Sequence, residues 1–123
     1  MQLDFGSRIP IFEQIVKNVI QNCTFGILRP GDSLPTVRRL AAELGINPNT
    51  VQKAYQILEI QGVIYTAGVR GSFISDSSVL IDRLRREAGQ EFLEKAGLAL
   101  QAGISKEELI KLIEGIDDID TRG

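Results

Sequence analysis

Histidine and tryptophan are absent from this 123-residue chain, and cysteine occurs once, at Cys23. A lone cysteine excludes an internal disulfide. One thiol without histidine cannot complete a tetrahedral zinc site. The usual Ser-His and Cys-His relays lack their base. No run of about 18 apolar residues occurs, so no segment reads as a membrane-spanning helix. The opening MQLDFGSRIP carries an early acid and no apolar stretch, so it does not read as a secretory signal. A cytoplasmic, non-enzymatic chain without metal or cofactor is expected.

Excess positive charge is also missing, since the formal net charge is −2. Its distribution is more informative. Residues 1–75 hold seven Lys/Arg against five Asp/Glu, and residues 76–123 hold seven against eleven. Affinity for a phosphate backbone depends on local basic groups, so the total does not exclude nucleic acid. Ordinary surface scatter would also give so modest an asymmetry. A hydrophobic content of 43% is enough for a core. The length suits one domain, or a small domain with an appendage.

What is present is a recognisable order of elements. From Pro10 to about Phe25, Ile11, Ile15, Val19 and Ile20 recur at helical spacing. Pro10 suits a first helical turn, where its missing N–H costs nothing. Pro30-Gly31-Asp32 is a turn signal, and Leu34-Pro35 resets the chain. A short helix follows from about Pro35 to Leu44, with Val37, Leu40, Ala41 and Leu44 on one stripe. Gly45 ends it in a left-handed conformation. Asn47 then offers an N-cap oxygen and Pro48 a first-turn residue. Two helices separated by so short a break form a helix-turn-helix.

The second helix of that pair runs from about Pro48 to Gln61. Its inward face is Val51, Ala54, Tyr55 and Leu58. Asn49, Gln52, Lys53 and Gln56 face outward, with Thr50 on the flank. Carboxylates are missing from that face until Glu59. Amide, hydroxyl and ammonium groups are those that bond base edges and phosphates, although a solvated face has the same composition. Val63–Thr66 and Ser72–Ile74 then read as two strands around the tip Gly68-Val69-Arg70-Gly71. Arg70 is the charged group of that tip, for a phosphate or only for solvent. A helix-turn-helix followed by such a hairpin is a winged helix.

These motifs carry a resemblance. IPIFEQIVKNVI, GILRPGDSLPTVRRLAAELGI, NTVQKAYQILE and the glycine-containing wing occur in the order of the DNA-binding domain of the GntR family of bacterial transcription regulators. The likeness spans about residues 8–75. It implies a homodimer that binds a roughly palindromic operator in double-stranded DNA. Arg38 matches an arginine that commonly contacts DNA. Asn47, Asn49, Thr50, Gln52 and Lys53 match the start of the recognition helix, and Arg70 and Gly71 match the wing tip. Arg38 and Lys53 are expected at phosphate or guanine, Asn49 and Gln52 at base edges. Arg39 would meet phosphate or only solvent. Pro48 and Gln52 stand where some members have arginine, and Ala67 and Gly68 where many are basic. Their base preferences therefore do not transfer.

The C-terminal part narrows the resemblance. A helix is expected from Val79 to about Ala102, with Leu80, Ile81, Leu84, Ala88 and Phe92 on its apolar stripe. Ser105-Lys-Glu-Glu108 has the pattern of a capping box. It opens a last helix containing Leu109, Leu112, Ile113 and Ile116. Two such helices cannot enclose much ligand, and this tail resembles the short YtrA subfamily. The resemblance implies a dimerisation module over residues 76–123 behind a winged helix over residues 1–75. A fold-back of the helical hairpin onto the winged helix is the other way to cover its apolar face. The closing DDIDTRG is expected to fray. A small-molecule effector between wing and tail stays open, with no residue cluster that marks its place.

Glu107-Glu108 and Asp117-Asp118 read as solvated carboxylates at helix ends, not as a catalytic pair. Cys23 reads as packing rather than as a redox sensor. The sequence thus describes a mainly α chain with a small β-hairpin, acting as a DNA-binding regulator, most simply a repressor. A winged helix used only for protein interaction is the rival.

Overall fold

Three helices of the computed structural model, which describes residues 1–117, are opened by a side-chain oxygen. Thr36 Oγ1 accepts from the Arg39 N–H at 3.2 Å, Asn47 Oδ1 from Asn49 at 2.8 Å and Ser105 Oγ from Glu108 at 3.1 Å. Each satisfies a first-turn amide that the helix itself leaves unpaired. The helices so opened are α2 (Val37–Leu44), α3 (Pro48–Ile60) and α5 (Lys106–Glu114). The Glu108 carboxylate accepts from the Ser105 N–H at 3.3 Å, completing the capping box. Helix α1 (Ile11–Thr24) begins directly after Pro10, and α4 spans Ser78–Gln101.

Some boundaries differ from the sequence pattern. Helix α2 begins at Val37 rather than Pro35, because Thr36 takes the extended N-cap conformation. Helix α5 ends at Glu114 with Gly115 as its cap, so Ile116 lies beyond it. The expected fraying of the tail falls largely on residues 118–123, outside the described residues.

Strands β1 (Ile64–Thr66) and β2 (Ser72–Ile74) pair antiparallel, with Ile64 opposite Ile74, Tyr65 opposite Phe73 and Thr66 opposite Ser72. Val63, expected in β1, stays outside the strand; its N–H goes to the Leu58 carbonyl and its carbonyl accepts from Ser75. Residues 31–34 lie along the other edge of β2. Gly31 and Leu34 donate to the Ile74 and Ser72 carbonyls at 2.8 and 2.9 Å, and Ile74 donates to Asp32 at 2.8 Å. The Pro-Gly-Asp turn therefore ties the start of the helix-turn-helix to the wing.

Residues Met1–Ser77 form one compact unit and the helices from Ser78 onward another. In the first unit α3 packs against both α1 and α2, and its end against β1. Val51, Ala54, Tyr55 and Leu58 are buried, as the helical spacing requires. They meet Ile15, Val16, Val19 and Cys23 of α1 and Leu40 and Ala41 of α2. Gly45 closes α2 at φ 67°, a left-handed turn that a side chain would resist. In the second unit neither α4 nor α5 has a buried side chain.

Candidate nucleic-acid interface

The start of α3 is capped from within. Pro48 has no N–H, the Asn49 N–H goes to Asn47 Oδ1, and the Thr50 N–H goes to the Asn47 carbonyl at 3.0 Å. These amides are not offered to an anion, so any reading of DNA here falls to side chains. Asn49, Gln52, Lys53 and Gln56 are exposed and Thr50 is half-buried. Asn47 has its oxygen in the cap, which leaves its amide nitrogen as its free kind of group. The exposed face thus presents donors and acceptors without a carboxylate until Glu59.

The flanking cations differ in their surroundings. Arg38 on α2 is exposed. Arg39 Nε lies 3.0 Å from Glu43 Oε1, one helical turn away, with both side chains more than half exposed. Lys53 Nζ sits 4.0 Å from the centre of the Phe12 ring, on the first turn of α1. Arg70 stands in a single 3-10 turn, Gly68–Arg70, that forms the wing tip. Its guanidinium lies 5.8 Å from the Phe73 ring, which stacks on Tyr65 with ring centres 5.7 Å apart. Gly71 follows at φ 102° and ψ −157°, a conformation open to glycine and not to residues with a Cβ.

Some of these contacts were not legible beforehand. Nothing in the spacing of Phe12 and Lys53 brings them together, since they meet only once α1 packs on α3. The Tyr65–Phe73 pair could have been found from the hairpin register. Gln14 is a third case. Its side chain accepts the Asp4 N–H at 2.8 Å and donates to the Asp4 and Ile9 carbonyls at 2.9 and 2.8 Å. The segment before α1 is thereby folded back onto it.

Two buried groups support this frame. The Tyr55 hydroxyl donates to the Pro35 carbonyl at 2.7 Å, joining α3 to the residues before α2. Burial, then the Glu43 carboxylate, push its pKa up to about 12. Cys23 is buried, and that burial, followed by the charge of Asp32, pushes its thiol pKa up. A raised pKa disfavours the reactive thiolate.

A second surface lies on α4 and α5. Leu80, Ile81, Leu84 and Leu109 are half-buried, while Ala88, Phe92, Leu112 and Ile113 are exposed. An open apolar groove of about 250 Å³ runs between Phe92, Ala96 and Ala99 of α4 and Leu109, Leu112 and Ile113 of α5. Among the described residues no helix is long and apolar enough to cross a membrane.

Known proteins bear out the fold. Residues 11–74 match the family described as bacterial regulatory proteins, gntR family. The HTH-type transcriptional repressor YtrA of Bacillus subtilis is 39% identical over 100% of this chain and 95% of its own length. A GntR family transcriptional regulator from Listeria monocytogenes superposes with a TM-score of 0.73 at 30% identity, over 94% of this chain and all of that one. The AraR DNA-binding domain, crystallised with operator ORE1, superposes with a TM-score of 0.52 at 26% identity, over 61% of this chain and 94% of that one. The winged helix, the short helical tail and these likenesses agree: the chain belongs to the GntR family of bacterial regulatory proteins, is YtrA-like, and is a transcription regulator rather than an enzyme.

Proposed function

We propose that the chain is a homodimeric repressor that binds a pseudo-palindromic operator in the cytoplasm. The observation that carries the DNA part is the exposed face of α3, where Asn49, Gln52 and Lys53 precede Glu59, the first carboxylate of the helix. Asn and Gln amides pair with adenine edges, and lysine with guanine or phosphate. Arg38 and Arg39 on α2 and Asn47 and Thr50 at the start of α3 flank that face. Arg70 and Gly71 form the wing's approach to the backbone. The AraR complex supports this use of a related domain.

The apolar surface of α4 and α5 carries the dimer part. Phe92 is 52% exposed, Leu112 62% and Ile113 46%. A two-fold copy offers the same patch and covers both at once. Two α3 helices related in this way enter successive major grooves, with half-site centres roughly 34–36 Å apart. Residues 1–75 then read DNA and residues 76–123 hold the pair together.

The test is selection of bound genomic fragments by the purified protein at physiological salt, followed by sequencing. A recovered pseudo-palindrome supports the reading. Random fragments bound by a folded dimer, or no binding at all, turn it towards a protein-interaction module.

A further inference from the structure

Arg39, Lys53 and Arg70, three cations near the proposed DNA face, each rest against a neighbouring side chain, and these neighbours fall into two kinds. Arg39 is paired with the carboxylate of Glu43 at 3.0 Å. Lys53 and Arg70 rest instead on neutral rings, Phe12 at 4.0 Å and Phe73 at 5.8 Å. A carboxylate neutralises the cation it orders. A ring attracts the cation through its quadrupole and leaves the positive charge in place. An ordered cation with its charge intact is what a phosphate contact uses best.

We infer that Phe12 is a positioning residue for DNA binding, which holds the Lys53 ammonium in the place where it meets a backbone phosphate. The inference rests on the reading of α3 as the DNA-facing helix. Phe12 is itself half-buried where α1 packs on α3, so its ring is a fixed seat. Lys53 is exposed, so its ammonium remains open to a ligand on the side away from the ring. A free lysine must lose rotamer freedom when it binds. Seated on Phe12, it has lost much of that freedom already. Arg70 on Phe73 repeats the arrangement at the wing, at a distance near the outer limit for such a contact.

The experiment is a double-mutant cycle on the full-length chain. Affinity for a labelled duplex of the fragment sequence recovered above is measured at several salt concentrations. Lys53→Ala should weaken binding and flatten the slope of log K against log salt by about one unit. Phe12→Leu keeps the charge, so it should weaken binding about two- to five-fold while leaving the slope unchanged. In the Lys53→Ala background Phe12→Leu should cost nothing further. Phe12→Tyr, which retains a π-face, should bind like the parent.

Several results would overturn the inference. One is Phe12→Leu binding as tightly as the parent, or more tightly, which would mean that the ring competes with DNA. Another is an equal loss in both backgrounds, which would place the effect in the fold, as would a loss in Phe12→Tyr. An unchanged slope in Lys53→Ala removes the phosphate contact and the inference, yet leaves DNA binding standing. A parent protein without salt-dependent DNA binding removes the reading of α3 and the inference with it.

Discussion

Helices α1–α3 and helices α4–α5 carry the same kind of sequence signal and reach opposite ends. Both groups have aliphatic residues recurring at helical spacing. In the first, Ile15, Val51, Ala54 and Leu58 are 0% exposed. In the second, Phe92, Leu93 and Leu112 are 52–62% exposed, and neither helix buries a side chain. The difference lies in the number of facing elements. Helix α3 is covered by α1, α2 and β1, whereas two helices leave each other's outer apolar sides open. Periodicity thus identifies an apolar face but does not say which chain covers it.

The largest expected effect comes from the open surface. Phe92→Glu, present twice in a two-fold dimer, removes about 1.5–3 kcal/mol of burial per copy and adds a charge at each. The dissociation constant of the dimer should rise at least about 100-fold. Sedimentation equilibrium measures it. Unfolding of the winged helix should be little changed, because Phe92 contributes nothing to its core. A dimer as tight as the parent's would remove α4 from the interface and favour another cover for this face.

Leu58→Ala is the complementary probe of the closed region. Leu58 is fully buried in α3, which packs against α1, α2 and β1. The loss should be about 2–5 kcal/mol, read as a lower urea midpoint. Subunit association should change only as far as the folded fraction changes. If the variant dissociated the dimer while it stayed folded, Leu58 would act on subunit association as well as on the core of the first unit.

Legibility from sequence divides along the same line. The inward set Val51, Ala54, Tyr55 and Leu58, the cap at Asn47 and Gly45 as a stop are legible within the winged helix, as is the Ser105 cap in the tail, because each is a local rule acting within a turn or two. Contacts between elements were less visible. The strand-like pairing of residues 31–34 with β2 lies within a Pro-Gly-Asp turn that carries no alternation. Phe12 and Lys53 meet 41 positions apart through the packing of α1 on α3. Val16 and Cys23 joined the α1 core although the expected stripe named Ile11 and Ile20, which are only half-buried. The candidate DNA-facing residues are legible from their chemistry and from the family resemblance. What seats or occupies them, Phe12 under Lys53 and Glu43 beside Arg39, came from the fold.

The smallest expected effect distinguishes the regions by pH. Tyr55 lies in the N-terminal unit, so its ionisation probes the winged helix. The Tyr55 phenol keeps its proton to about pH 12 in the folded chain. In the unfolded chain it loses it near pH 10. Between those values the folded state binds more protons, so stability falls as pH rises. Below about pH 10 the contribution is fully present. Tyr55→Phe removes the 2.7 Å bond to the Pro35 carbonyl and should cost about 1–2 kcal/mol near neutral pH. The same variant should flatten the loss of stability between about pH 10 and 12, followed by urea unfolding of the N-terminal unit. An unchanged slope would mean that Tyr55 ionises alike in both states and that the loss of stability at high pH has another source.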